Sequence, residues 1–306
     1  MEYSPGLRGV IAGETKISTV GMEGTSLRYR GYDAIKLTET HTYEDAASLI
    51  ISDDLDGSEF TNNFIKFYGE LTNDKDINKL FVEIKSRLHP MDVIRTVVSY
   101  IGDSDKNSDL ESTTKILAAV SYVIASYNDN DTSELDQEYT VASSMLSNKV
   151  SKDELQALDD ILILYAEHGF NASTFATRVT ASTRSDLTSS IVSGIGTLKG
   201  ELHGGANERA VELINSFKDI NDAETGVLKM LEEKKKIMGF GHGVYKIQDP
   251  RSPVVKRWVE KLVSDDDAKL RFEIAKKIDE IMDKEKKLFP NVDFYGGLLL
   301  SELDFD

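Results

Sequence analysis

From Thr42 onward, most of the chain carries apolar residues at helical rather than alternating spacing, and this pattern constrains the fold most strongly. Helix-start signals accompany it. Thr42 precedes two acids, Pro90 stands at a first-turn position, and Ser151 is followed three residues later by Glu154, as in a capping box. The pattern predicts helices over residues 60–71, 91–101, 114–127, 155–165, 187–198, 253–263 and 268–288. We therefore expect an all-α fold.

The first forty residues follow a different pattern, with short β-prone runs separated by glycine. Residues 10–11 and 16–20 are rich in β-branched side chains, and 21–24 contain the glycines of a turn. Residues 27–32 then alternate like a returning strand. These features predict a small N-terminal β-hairpin attached to the helical body.

Length and charge limit the class of protein. The 306 residues suffice for two domains or one large domain. A net charge of −17 argues against nucleic acid and anionic membranes as partners. The sequence shows neither a membrane-spanning apolar run nor a signal-peptide pattern, so a cytoplasmic protein is expected. Cysteine is absent, which excludes disulfides, thiolate nucleophiles and cysteine-ligated metals.

A histidine set among three glycines follows the predicted helix 187–198, in the stretch K-G-E-L-H-G-G-A-N-E. Glycine allows a ligand to approach the backbone closely, so His203 is a candidate functional residue. The same stretch also fits a helix that ends in glycine and carries a surface histidine. His168, just beyond the predicted helix 155–165, is equally compatible with a histidine at a helix C-terminus, where the dipole favours its cation.

A second glycine-spaced stretch, I-M-G-F-G-H-G-V-Y-K, surrounds His242 and follows three lysines. The backbone N–H groups near Gly239 and Gly241, together with Lys246, would suit the phosphates of an anionic cofactor. The spacing is neither that of a Walker motif nor that of a dinucleotide fingerprint. A lysine-rich helix end followed by a turn accounts for the same residues without a ligand. Further on, N-V-D-F-Y-G-G places Asp293 on a predicted turn.

In combination, these stretches resemble the citrate synthase family, which includes the 2-methylcitrate synthases. The matching motifs stand in family order over nearly the whole chain: G-L-R-G-V-I-A-G-E-T, L-R-Y-R-G-Y-D, H-P-M-D, L-I-L-Y-A-E-H-G-F-N-A-S-T, L-K-G-E-L-H-G-G-A-N-E, I-M-G-F-G-H, Y-K-I-Q-D-P-R and F-P-N-V-D-F-Y. The resemblance implies a two-domain, nearly all-α fold, with a large domain over 1–200, including the hairpin, and a small domain over 201–306. It also implies a homodimer.

The resemblance further implies condensation of acetyl-CoA with oxaloacetate to citrate and CoA, or of propionyl-CoA to 2-methylcitrate. Asp293 would take the methyl proton, His203 would donate to the thioester oxygen, and His242 would polarise the oxaloacetate ketone. A carbanion-like intermediate needs such a base and such donors, rather than a nucleophile or a metal. No metal and no permanently bound cofactor is therefore expected.

The same resemblance assigns the binding residues. His168 and Arg251 would hold oxaloacetate, since arginine can bind a carboxylate through two parallel hydrogen bonds. Lys246, Gly239 and Gly241 would contact the acyl-CoA.

The chain departs from the family pattern at three places. Glu201 stands where the family usually has proline, and Gly243 where many bacterial members have arginine. Family members also continue past N-V-D-F-Y through several helices that carry two further arginines, whereas this sequence ends at Asp306. We therefore expect the chain alone to be a poor synthase that tends to associate, unless a C-terminal segment or a partner supplies equivalent arginines.

Two other functions stay open at this point. A citrate-synthase-like protein without the activity would keep the fold and a binding role. A metalloenzyme would instead use His203, His242 and Asp293 as two histidine ligands and a carboxylate.

Overall fold

A computed structural model describes residues 11–102, 107–128, 135–146, 150–200 and 203–305. These residues form fifteen α-helices and a three-stranded sheet of order β1-β2-β3, so the predicted all-α fold with a small N-terminal hairpin is confirmed. The strands are β1 (Ser18–Val20), β2 (Leu27–Tyr29) and β3 (Tyr32–Asp33). The helices are α1 (Ala34–Thr40), α2 (Tyr43–Ser52), α3 (Ser58–Thr72), α4 (Lys75–Ile84), α5 (Pro90–Ile101), α6 (Asp109–Tyr127), α7 (Thr140–Met145), α8 (Lys152–Tyr165), α9 (Ala172–Ser182), α10 (Leu187–Leu198), α11 (Ala206–Asn215), α12 (Ile220–Glu232), α13 (Ser252–Leu262), α14 (Asp266–Lys286) and α15 (Val292–Glu302).

The N-terminal segment differs from the prediction at residue 11 and agrees with it at the glycine turn. Ile11 is not part of a strand, and Val10 lies outside the described residues. The chain between β1 and β2 makes a short 3-10 turn, Met22–Gly24, at the predicted glycine turn. Among the described helices, none combines the length and the apolar character that crossing a membrane would require.

Side-chain caps fix where the predicted helices begin. Thr42 accepts the Asp45 N–H while the Asp45 carboxylate accepts the Thr42 N–H, which forms a reciprocal capping box at the start of α2. Ser151 and Glu154 form the same box at the start of α8. Pro90 occupies the first turn of α5, as predicted.

The chain divides into two compact units. The first contains the described residues up to Ser18 together with Tyr29–His203, and the second contains Thr19–Arg28 together with the described residues from Gly204 onward. The hairpin tip, defined here as residues 19–28, therefore belongs to the second unit, whereas the sequence suggested the large domain for the whole hairpin. The predicted domain boundary stays a prediction, and Glu201, its first small-domain residue, lies outside the described residues.

In the first unit, α3 packs against α6 around a row of buried aromatic side chains. Phe64 stacks on Tyr68 with ring centroids 5.6 Å apart. Tyr29 of β2 is fully buried, and its hydroxyl donates to the carbonyl of Ile163 at 2.8 Å. This bond ties the strand to the last turn of α8, from which the segment containing His168 continues.

The first unit also buries two carboxylates, each of which accepts a backbone N–H at the start of another helix. Glu44, 2% exposed on α2, accepts the Val141 N–H of α7 at 2.8 Å. Asp159, 0% exposed on α8, accepts the Tyr43 N–H of α2 at 3.0 and 3.1 Å. Burial, with a smaller contribution from Asp45, raises the pKa of Glu44 to about 7. Burial and the charge of Glu44 raise the pKa of Asp159 well above its ordinary value.

In the second unit, α15 packs against α11 and α13 and is buried over most of its surface. The sequence predicted a turn at Asp293, but this residue lies in the first turn of α15, which Asn291 caps. The prediction was wrong because glycine here serves helix packing. A Cβ on Gly297 would lie 2.6 Å from the Asn207 carbonyl of α11, so the close approach of the two helices requires glycine.

Candidate active site

His168 lies in a bent segment between α8 and α9 and is half-buried. The carboxylate of Glu167 holds this segment, because it accepts the Ser18 hydroxyl at 2.9 Å and the Gly169 N–H at 2.6 Å. Gly169 has φ +68, a conformation that favours glycine and turns the chain beside the histidine. The predicted contact of His168 with oxaloacetate stays a prediction.

His203 is held at the N-terminus of α9. The Ser173 N–H donates to His203 Nε2 at 3.3 Å, and the Ser173 hydroxyl oxygen lies 2.9 Å from the same nitrogen. Asn171 caps this helix by accepting the Thr174 N–H at 2.9 Å, which fixes the position of Ser173. A ring nitrogen that accepts a backbone N–H carries no proton, so we assign the proton to Nδ1. The tautomer makes Nδ1 a hydrogen-bond donor.

His242 lies in the second unit and is oriented by residues 241–247, called here the His242 loop. Its Nδ1 accepts the N–H groups of Val244 and Tyr245, both at 3.1 Å. The imidazole also lies against the Tyr245 ring, with centroids 4.6 Å apart. Because two backbone donors occupy Nδ1, the proton lies on Nε2, which becomes the donor of this histidine.

The hairpin tip packs against this same loop. Gly21 has φ +73, and a Cβ there would lie 2.5 Å from Val244 Cγ1. A Cβ on Gly24, φ +85, would lie 3.1 Å from Ile247 Cδ1. Both positions thus favour glycine for backbone conformation, and Gly21 also for space. The tip therefore supports the backbone whose N–H groups orient His242.

Arg251 forms a buried ion pair with Asp249. Its Nε donates to Asp249 Oδ1 at 2.9 Å and its Nη2 donates to Oδ2 at 2.8 Å. Asp249 also accepts the Val292 N–H at 3.0 Å, which links the pair to the start of α15. Burial alone would raise the pKa of Asp249, but hydrogen bonding and charge pairing with Arg251 lower it below its ordinary value. Two guanidinium N–H groups of Arg251 thus donate to Asp249. The predicted contact of Arg251 with oxaloacetate stays a prediction.

Asp293 is half-buried in the first turn of α15, where the helix dipole favours a negative charge. Its neighbour across the helix contact is Asn207 of α11. We assign the orientation of the Asn207 amide in which Nδ2 faces Asp293, because both hydrogen-bonding atoms of the amide then have suitable partners. In this orientation Nδ2 donates to Asp293 Oδ1 at 3.0 Å and to the Asp293 main-chain oxygen at 3.1 Å. This arrangement fixes the carboxylate and keeps it an acceptor.

Gly239 packs against the first turn of α15, and Gly241 is bonded to the segment that leads into this helix. Gly239 has φ +81, and a Cβ there would lie 2.8 Å from Phe294 Cβ. The Gly241 N–H donates to the Phe289 carbonyl at 2.8 Å. This N–H is therefore engaged within the protein and is not one of the exposed donors that the sequence suggested for a phosphate. Contact of either glycine with the acyl-CoA stays a prediction.

Lys246 and Gly243 lie on the exposed side of the His242 loop. Lys246 Nζ donates to the Gly243 carbonyl at 2.9 Å, which keeps the ammonium group on the loop. Gly243 has no atom within 4 Å of an added Cβ and no positive φ. A larger residue fits at this position without backbone strain.

The open space around Gly243 allows a prediction for a larger residue at this position. We expect Gly243→Arg to tighten acyl-CoA binding by on the order of 1 kcal/mol, because it adds one partly exposed charge-assisted contact. Calorimetric titration with CoA measures the effect. Gly69→Arg is the matched control, since Gly69 on α3 also leaves open space around an added Cβ. Unchanged or weaker CoA binding in Gly243→Arg would contradict the prediction.

Three residues were not singled out from the sequence: Ser173, Asn207 and Asp249. Asn207 stands in the glycine-histidine motif four residues after His203, and its place in that motif was its only signal. An aspartate two residues before an arginine, as in D-P-R, signalled the Asp249 pair. Ser173 carried no signal beyond its place in a matching motif.

The alternative of a metal site gains no support. Within the described ranges, no group of three or more histidine, aspartate or glutamate side chains is placed to hold a metal ion.

Comparisons with known proteins agree on one family. A family profile described as "Citrate synthase, C-terminal domain" matches residues 6–306. The chain is 40% identical to a 2-methylcitrate synthase of Shewanella oneidensis, over 95% of this chain and 81% of that protein. It is 33% identical to a citrate synthase of Deinococcus radiodurans, over 97% and 84%. In structure it is similar to the citrate synthase of Thermoplasma acidophilum in a ternary complex with carboxymethyl coenzyme A and oxaloacetate, with TM-score 0.88, 26% identity, and coverage of 100% and 86%.

Proposed function

The chain belongs to the citrate synthase family and is a transferase that condenses an acyl-CoA with oxaloacetate; we propose that the acyl donor is acetyl-CoA and the product citrate. The relative named citrate synthase in Deinococcus radiodurans supports acetyl-CoA as the donor. The condensation, which is common to both donors, is supported by the orientation of His242, whose Nδ1 is occupied by two backbone N–H groups and whose Nε2 is left protonated. A neutral histidine donor of this kind suits a ketone oxygen that becomes an alkoxide.

In the proposed first step, Asp293 removes a proton from the methyl group of the thioester. The start of α15 and the Asn207 amide keep the carboxylate ionised and fixed. His203 donates from Nδ1 to the thioester oxygen as negative charge develops there. General base and donor each supply typically about 10²–10⁴-fold in rate.

In the second step, the enolate carbon attacks the ketone carbon of oxaloacetate. His242 Nε2 donates a hydrogen bond to the ketone oxygen and stabilises the negative charge that develops there as the carbon–carbon bond forms. His168 and Arg251 hold the oxaloacetate, while Lys246 and the backbone near Gly239 and Gly241 contact the CoA. Water then hydrolyses the citryl-CoA thioester to citrate and CoA.

Propionyl-CoA is the second candidate donor. The Shewanella oneidensis relative, named 2-methylcitrate synthase, favours it, because that protein is 40% identical to this chain. A thiol-release assay with oxaloacetate and each acyl-CoA decides between them through the ratio of the two kcat/KM values. A higher kcat/KM with acetyl-CoA supports the proposal. A higher value with propionyl-CoA favours 2-methylcitrate synthase, and release with neither donor would refute both.

We also infer a homodimer. Helix α9 packs against α10, yet none of the residues of α9 is buried in the single chain. Val179 on α9 is half exposed. An exposed helix of small side chains, with Val179 on its surface, suits close packing against a second copy of the chain. Sedimentation velocity of the purified chain tests the inference, and a monomer at micromolar concentration would contradict it.

A further inference from the structure

We propose that Asn207 is a positioning residue for Asp293, which fixes the orientation of the carboxylate and sets the pH range in which it acts as a base. The inference rests on the proposed role of Asp293 and adds a residue to it.

The contact between Asn207 and Asp293 uses both hydrogens of the Asn207 amide group. Asn207 Nδ2 reaches both Asp293 Oδ1, at 3.0 Å, and the Asp293 main-chain oxygen, at 3.1 Å. Two bonds from one amide hold the carboxylate relative to its own backbone, so rotation about the side chain is restricted. Asparagine is also neutral at every physiological pH, so it stabilises the anion without exchanging a proton with it.

The backbone is built to bring these two residues together. Gly297 of α15 faces the Asn207 carbonyl, from which an added Cβ would be only 2.6 Å away, and Val211 Cγ2, 2.9 Å away. Asn291 caps α15 and donates from Nδ2 to the Gly241 carbonyl at 3.1 Å, which anchors the first turn. The approach of α11 is therefore fixed independently of the hydrogen bonds themselves.

Several of the described charges around α15 form ion pairs. Asp249 with Arg251 stands beside the helix start, Lys256 of α13 pairs with Asp279 of α14, and Arg271 of α14 pairs with Glu302 of α15. On α11, the neighbours of Asn207 are the exposed Glu208 and the half-buried Arg209. A new charge at position 207 would lie within hydrogen-bond distance of Asp293.

Asn207→Asp tests the proposal sharply. It keeps the size of the side chain but places a second carboxylate about 3 Å from the first, and two carboxylates this close share a proton. We expect the acid limb of the kcat/KM profile to move up by about one pH unit or more and kcat at pH 7 to fall at least about tenfold. Oxaloacetate affinity should be unchanged.

Asn215→Asp is the matched control, because Asn215 is exposed at the far end of the same helix. It adds the same charge to α11 without reaching Asp293 and should leave the profile in place. Asn207→Ser keeps a neutral donor of shorter reach. It should lower kcat while the acid limb shifts less than in Asn207→Asp, which separates charge from packing.

A carbon-13 NMR titration of the Asp293 carboxyl group, identified by its loss in Asp293→Asn, provides a readout that needs no turnover. An upward shift of its midpoint in Asn207→Asp but not in Asn215→Asp supports the inference, even if the wild-type chain releases no thiol and the proposed function fails. An unshifted midpoint and an unshifted acid limb in a folded, active Asn207→Asp variant would overturn it.

Discussion

Replacing Asp293 by asparagine is expected to lower turnover at least about a hundredfold while oxaloacetate still binds. The substitution keeps the shape of the side chain and an oxygen that can accept the Asn207 hydrogen bond, but it removes the basic oxygen that takes the methyl proton. Thiol release measures turnover, and calorimetry with oxaloacetate alone measures binding. The loss should fall on kcat rather than on oxaloacetate affinity, because the carboxylate acts on the other substrate.

Asp267→Asn is the matched control for this experiment. Asp267 is the second residue of α14, as Asp293 is of α15, but its side chain is exposed. Both substitutions remove one negative charge from a first helical turn, where the dipole effect is at most about 1 kcal/mol for an exposed group. Near-normal turnover in Asp293→Asn would remove Asp293 as the base.

The second large effect concerns the buried carboxylates of the first unit. We expect the free energy of unfolding to fall as the pH rises from about 4.5 to about 7. Below that range Glu44 is protonated in both the folded and the unfolded protein. Within the range Glu44 ionises in the unfolded chain but keeps its proton in the folded chain, because burial raises its pKa to about 7. The shift corresponds to about 3 kcal/mol. Asp159, whose pKa is also raised, acts in the same direction.

Glu44→Gln should therefore stabilise the protein at pH 8 by up to about 3 kcal/mol and have little effect at pH 4. Glutamine keeps an oxygen for the Val141 N–H, and its amide brings no charge into the buried site. Denaturant unfolding of both proteins at the two pH values measures the difference. Glu59→Gln, at the equivalent second position of α3 but exposed, is the control and should show no such pH dependence. Equal stability of Glu44→Gln and wild type at pH 8 would contradict the prediction.

The sequence predicted features that depend on local interactions. Thr42, Pro90 and Ser151 mark helix starts because their caps involve residues within one turn. Similarly, the helix 187–198 matches α10 in full. By contrast, α1, α4, α7, α9 and α11 were not predicted. Helix α9, for example, is made largely of small and hydroxyl side chains, which give a weak periodic signal.

Tertiary contacts account for what the sequence did not predict. The glycines after Asp293 indicate a turn when only neighbours are considered, yet Gly297 lies within a helix because α11 leaves room for nothing larger. The same holds for Asn207, which meets Asp293 only after both helices have packed. Likewise, Glu44 precedes Asp159 by more than a hundred residues, so their shared burial has no local signature.

The contact of the hairpin tip with the His242 loop also affects how the protein is made and dissected. During translation, the tip emerges from the ribosome long before Val244 and Ile247, so the second unit acquires this contact only late in synthesis. A cloned fragment that starts at Gly204 would lack Gly21 and Gly24, and the backbone that orients His242 would lose its support. Expression of this unit by itself therefore calls for residues 19–28 to be joined back by a linker, or supplied as a separate peptide.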